Sequence, residues 1–218
     1  MPVVNDADKE QIDALKAWWK ENGRVVVAGL VIGLGGVFGW QSWQTYTTRQ
    51  AENASIIFEQ MVDWAAARNY GRVDQFAETL LGEYPKSGYA PLGALIRAHS
   101  AVAQNRNDEA RGYLQWVIDN ADDDYLAGVA SLRLARLAAD KQEYDVTLRI
   151  LDDNQPEQLD FMFEELRGDV QFAQGDVQAA HRHYQNALSS ERISPSSRSR
   201  VIMKAADLGV ESASAGRE

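Results

Sequence analysis

Three histidines, a run of aspartates and a glycine-rich block are the residues of this 218-residue chain whose types could do chemistry. His181 and His183 are close enough to share a metal, but on a helix residues two apart leave in different directions, and helical ligand pairs favour spacings of three or four. Asp122, Asp123 and Asp124 in "DNADDDYLAG" offer carboxylates to a hard cation. They lack the correctly placed glycine and terminal glutamate of a calcium loop, so a solvated helix start is the better account. Gly33 and Gly35 begin a G-x-G pattern, but Phe38 stands where the third glycine belongs and no strand precedes it. That excludes a dinucleotide-binding turn.

The chain has no cysteine. Disulfides, thiolate zinc sites, a catalytic thiol and a lipidated N-terminal cysteine are thereby removed together. No nucleophile elbow, phosphate loop or paired catalytic carboxylate takes their place. No cofactor or metal is expected, and the chain is not read as an enzyme. The formal net charge is -10, and from Gln44 onward 18 basic residues face 27 acidic ones. Phosphate backbones require a positive surface, so nucleic acid is not an expected partner.

What must position any site are the helices, and the first is marked by "VVVAGLVIGLGGVFGW". No charge occurs between Arg24 and Arg49, and residues 25–43 form a 19-residue apolar run interrupted only by Gln41 and Ser42. At about 1.5 Å per residue such a helix covers roughly 28 Å, close to the hydrocarbon thickness of a bilayer. Trp18 and Trp19 precede the run and Trp40, Trp43 and Tyr46 close it, where amphipathic rings settle at an interface. A soluble core helix is disfavoured by five glycines in sixteen residues, each costing about 1 kcal/mol relative to alanine. In lipid, Gly29 with Gly33, and Gly35 with Gly39, would let partner helices approach closely. About 24 residues of mixed charge come first and no cleavage site follows, so the segment reads as a retained anchor rather than a signal peptide.

Lys9, Lys16, Lys20 and Arg24 lie before the span, and Arg49 alone follows closely. The positive-inside rule then makes the N-terminus cytoplasmic. Residues 1–24 form an amphipathic segment in which Ile12, Leu15 and Trp19 recur at helical spacing, with Asn22-Gly23 as its expected C-cap. It reads equally as a helix on the membrane or a partner, and as an interfacial lead-in.

From Ala51 onward the chain is alanine-rich and helical in period, and strand signals of alternating β-branched residues are absent. "LRGDVQFAQGDVQAAHRHYQNAL" places Gly168, Ala180, Tyr184 and Ala187 at the positions of a tetratricopeptide repeat, a helical hairpin of about 34 residues. Ala135 stands 33 residues earlier with Thr147 and Leu151, and Ala98 a further 37 earlier with Ala110 and Leu114. A degenerate first hairpin runs from about Asn53 to Tyr84, before Pro85. Ser194-Pro195 reads as an N-cap and first residue opening a last helix through Leu208. The fold class is therefore all-α, a single transmembrane helix followed by a tetratricopeptide-like hairpin solenoid over 44–208, with a flexible tail at 209–218. By the geometry of such repeats, His99, Arg136, Met162, Asp169 and Phe172 should face a partner groove.

The order of cytoplasmic helix, glycine-rich anchor and repeat domain resembles the YfgM family, ancillary subunits of the SecYEG translocon in Gram-negative inner membranes. The resemblance rests on "EQIDALKAWWKENG", on "VVVAGLVIGLGGVFGWQSW" and on the repeat frame, and it covers nearly the whole chain. It implies a periplasmic domain, association with SecYEG, and partnership with a membrane-anchored chaperone resembling a peptidyl-prolyl isomerase. The expected role is a non-enzymatic interaction subunit that passes exported proteins to chaperones. The alternative is an anchored repeat scaffold for division, outer-membrane assembly or stress signalling.

Overall fold

The computed structural model describes residues 6–153 and 155–209, so all of the expected tail except Gly209 lies outside the described residues. Contacts divide the chain into two units, one up to Glu52 and one from Asn53. Helix α1 (Asp6–Ala66) contributes to both.

In the first unit every side chain from Val25 to Trp43 is exposed on α1, and none of the apolar window that could cross a membrane is buried within the chain. A core helix of a soluble protein would hide this surface, whereas a membrane helix presents it to lipid. The C-cap expected at Asn22-Gly23 does not form. The helix runs straight through, Asn22 donating its amide to the Trp18 carbonyl at 3.1 Å and the Trp19 indole lying over Gly23. A glycine penalty of about 1 kcal/mol does not end a helix that propagates cooperatively from both sides.

The second unit is a run of hairpins. The end of α1 pairs with α2 (Tyr70–Glu83), α3 (Tyr89–Ala103) with α4 (Asn107–Asn120), α5 (Asp124–Asp140) with α6 (Tyr144–Asp153), and α7 (Asp160–Ala173) with α8 (Val177–Ser189). A 3₁₀ turn at Glu157–Leu159 precedes α7, and α9 (Pro195–Asp207) closes the described array. No strand occurs among the described residues. Ser194 caps α9 by accepting from the Ser197 amide at 3.1 Å, with Pro195 at the first turn.

One backbone device repeats through all the hairpins. Arg68, Asn105, Gln142 and Gly175 each adopt positive φ, at 54, 60, 61 and 85°, two residues before the second helix. The amides of Asn69, Arg106, Glu143 and Asp176 then bond the carbonyls of Trp64, Ala101, Ala138 and Gln171, five residues back. This is a Schellman-type end that satisfies carbonyls the terminating helix would leave orphaned. Only the last turn uses the residue that carries no Cβ penalty there.

Counted from that turn, one frame of buried positions emerges. Seven residues before it stand Met61, Ala98, Ala135 and Gly168; nine after it stand Ala77, Leu114, Leu151 and Tyr184. The residues of the first three pairs share a buried cluster pair by pair, and the Tyr184 ring occupies the space a Cβ on Gly168 would need. As the first member shrinks the second grows, which holds the seam volume nearly constant. Thr147, in the small position of the third hairpin, is fully buried and satisfied by donating to the Glu143 carbonyl at 3.0 Å.

Candidate binding face

The first helices of the hairpins carry the residues predicted to face a partner. His99 on α3 and Arg136 on α5 are exposed, and Phe172 near the end of α7 leaves half its surface open. Met162 is half-buried and packs against two core clusters at once, so most of its surface serves the seam. Asp169 is half-buried beside Tyr184, whose hydroxyl donates to it at 2.9 Å.

Arg136 and Asp169 belong to a charged cluster whose other members the sequence reading missed. Glu165 of α7 is buried, and Arg200 of α9 grips it with two hydrogen bonds, Nε at 2.8 Å and a terminal nitrogen at 2.7 Å. Lys204, one turn further along α9, donates to Glu165 at 2.7 Å and to both Asp169 oxygens at 2.7 and 2.8 Å. A buried carboxylate is costly unless paired and hydrogen-bonded, and here it is both. Burial pushes the Glu165 pKa upward, but the hydrogen bonds and charges of Arg200 and Lys204 prevail and hold it below the usual carboxylate value. The Tyr184 phenol is pushed above its ordinary range by burial and then by the Asp169 charge. Arg136 feels Glu165, Asp169 and Arg200 without an ion pair among the described residues. Partial desolvation lowers its pKa from the ordinary guanidinium value, yet it remains charged at neutral pH.

A sequence signal for these partners existed. Glu165 with Arg200 and Asp169 with Lys204 are both 35 residues apart, about one repeat length, so residues of opposite charge meet across neighbouring first helices. Similar spacings of 32 and 33 join Asp74 to Arg106, Arg111 to Glu143 and Asp108 to Lys141. The first two of these occupy one frame with the signs reversed.

His183 lies 2.9 Å from Glu164, which also accepts from Arg167 at 2.8 Å and Asn186 at 3.0 Å. Arg167 in turn donates to the Leu151 carbonyl at 2.7 Å and Asp152 at 2.9 Å. The network ties α6, α7 and α8 together. Among the described residues no group of three or more His, Asp or Glu side chains could hold a metal ion. Asp123 accepts from the Tyr125 amide at 2.8 Å, the N-cap role its run suggested.

On α1 the glycines of both close-packing pairs are open. A Cβ placed on Gly29, Gly33, Gly35 or Gly39 would meet nothing of the chain within 4 Å. Among the described residues these helices offer charged, aromatic and small-residue surfaces for contact.

Comparison with known proteins agrees with this architecture. A tetratricopeptide repeat-like domain family matches residues 16–210. The chain is 31% identical to the "Ancillary SecYEG translocon subunit" of Aggregatibacter actinomycetemcomitans over 83% of this chain and 88% of that one. The protein of the same name from Escherichia coli K12 is 27% identical over 95% and 99% of the two chains. That of Haemophilus influenzae is 27% identical over 84% and 89%. No solved structure matches at a significant level.

Proposed function

This chain belongs to the family of ancillary SecYEG translocon subunits, and on that premise we propose that it is a non-enzymatic, membrane-anchored interaction subunit of the Sec translocon. Residues 1–24 are cytoplasmic, 25–43 cross the inner membrane, and 44–208 stand in the periplasm, an orientation supported by the basic residues before the span. The repeat domain receives exported chains, or the segment of a membrane-anchored chaperone resembling a peptidyl-prolyl isomerase, in a groove along its first helices. The observation that supports this reading is that Arg136, Asp169 and Phe172 lie on the first helices of the third and fourth hairpins. Arg136 is exposed and has no ion pair among the described residues, while an open aromatic ring stands on α7, within one turn of Asp169.

Anchoring beside a channel gives a weak groove a high effective concentration of clients, so affinity need not be high. The open glycines of α1 suit contact with a channel helix. Photocrosslinking in intact cells, with probes at Gly33 and Arg136, tests both halves. Adducts with a channel subunit from Gly33 and with exported chains or a periplasmic chaperone from Arg136 are expected. Adducts only with cytosolic proteins from Arg136 would overturn the orientation, and adducts only with unrelated envelope proteins would overturn the translocon role.

A further inference from the structure

Before the apolar span, α1 carries a second feature that the repeat domain does not use. Lys16, Lys20 and Arg24 follow one another at four-residue intervals, and Val27, Val31 and Leu34 continue the same stripe at intervals of three and four. All six are exposed. At about 100° per residue this stripe lies on the side of the helix opposite Gly29, Gly33 and Gly36. A helix that packs through the Gly29 and Gly33 face would thus turn the stripe toward lipid.

The stripe has a shaped head. Trp19, Lys20, Gly23, Arg24, Val27 and Ala28 line a shallow notch, floored where Gly23 and Ala28 leave little side chain. The Trp19 indole lies against Gly23, so closely that a Cβ there would stand 3.2 Å from the ring nitrogen. That nitrogen has no acceptor among the described residues, and neither Lys20 nor Arg24 has an ion pair there. Among the described residues Lys16 has only a 3.5 Å contact to Asp13, both side chains being largely solvent-exposed. Two unpaired cations and an indole donor at the mouth of an apolar track are complementary to an anion that carries a hydrocarbon chain.

We propose that this notch is a binding site for the phosphate of an anionic phospholipid, held by Lys20 and Arg24 with Trp19 as donor and Lys16 nearby, its acyl chain running along Val27, Val31 and Leu34. The proposal rests on residues 25–43 being a membrane span. From Arg24 to Leu34 the helix rises about 15 Å, the depth of one leaflet. Three cations on one face provide the charge, and the notch provides the place.

The test uses the full chain in detergent, titrated separately with phosphatidylglycerol and phosphatidylcholine, with bound lipid counted by native mass spectrometry. Wild type should retain phosphatidylglycerol in preference to phosphatidylcholine. The K20Q/R24Q variant should lose that preference by roughly 30-fold at low salt, each cation near an anionic headgroup contributing about a fivefold factor. Gly23→Leu, which forces the indole aside while leaving every charge, should weaken it too, and Arg49→Gln at the other end of the span should not. Equal retention of the two lipids, or a K20Q/R24Q variant that behaves as wild type, would overturn the site and leave these cations to a protein partner. Displacement of the lipid by millimolar inorganic phosphate would show a free-anion site and overturn the lipid assignment. Flotation with pure phosphatidylcholine vesicles separates the premise: a chain that fails to float loses the span itself, whereas one that floats without headgroup preference loses only this site.

Discussion

Gly168 and Tyr184 meet where Ala98 and Leu114, or Ala135 and Leu151, meet in the preceding hairpins. The fourth hairpin has traded a methyl group on one helix for a ring on the other. Because interiors are packed to crystalline density, either half of the exchange alone should be costly. Gly168→Ala is expected to destabilise the repeat domain by about 2 kcal/mol, since the helical backbone and the ring cannot both stay in place. Adding Tyr184→Leu, which recreates the middle pairing, should recover more than half of that loss in thermal melts. A double variant no better than Gly168→Ala would refute the volume-exchange account. The pattern was half legible in the sequence: Gly168 and Tyr184 stood out by frame, but Met61 and Ala77 did not, because a large residue in the small position hides the repeat.

At the scale of elements, α9 is held to α7 by polar as well as apolar contacts. Val201 is fully buried in the last core cluster, while Arg200 and Lys204 converge on Glu165. The Glu165 carboxylate titrates below the ordinary 4.5 in the folded chain. Its contribution is therefore fully present above that value and is lost as pH falls through it toward the folded pKa. The seating of α9 should weaken as pH falls below about 4.5. In Glu165→Gln the domain should lose about 2 kcal/mol at pH 7 and show a flatter decline with acid. Hydrogen exchange in α9 as a function of pH separates this from general acid unfolding; equal slopes in the variant and wild type would exclude Glu165 as the cause. Sequence periodicity placed α9 correctly through Ser194 and Pro195, but its ionic seat joins residues a full repeat apart, outside the range of any helix-length pattern.

Across the whole molecule, the unit beginning at Asn53 has its own buried clusters from Met61 to Val201, whereas among its described residues the first unit buries little beyond Gly23. Stability of a hairpin array is a sum over neighbours, so a unit that carries its own buried clusters should need little from the residues before it. A fragment starting at Asn53 is expected to be soluble without detergent and to retain a helical circular dichroism signal with a cooperative melt. Aggregation of that fragment would mean that residues before Asn53 complete its core.

By itself the sequence determined the fold class, the long apolar N-terminal helix and the hairpin count, because these follow from periodicities of 3.6 and about 34 residues and from a nearly unbroken apolar run, whereas the family was reached through resemblance. All of those are local or repetitive, and a one-dimensional pattern records them. The tertiary structure decided what such patterns cannot carry. It ran α1 through Asn22-Gly23, because a single glycine is a weak stop against helices growing from both sides. It gave much of Met162 to the seam, and among the many opposite charges a repeat length apart it selected Glu165, Arg200 and Lys204 to meet in one cluster with Asp169 and beside Arg136. Those outcomes depend on which faces of distant helices meet, and packing settles that only when the whole array is assembled.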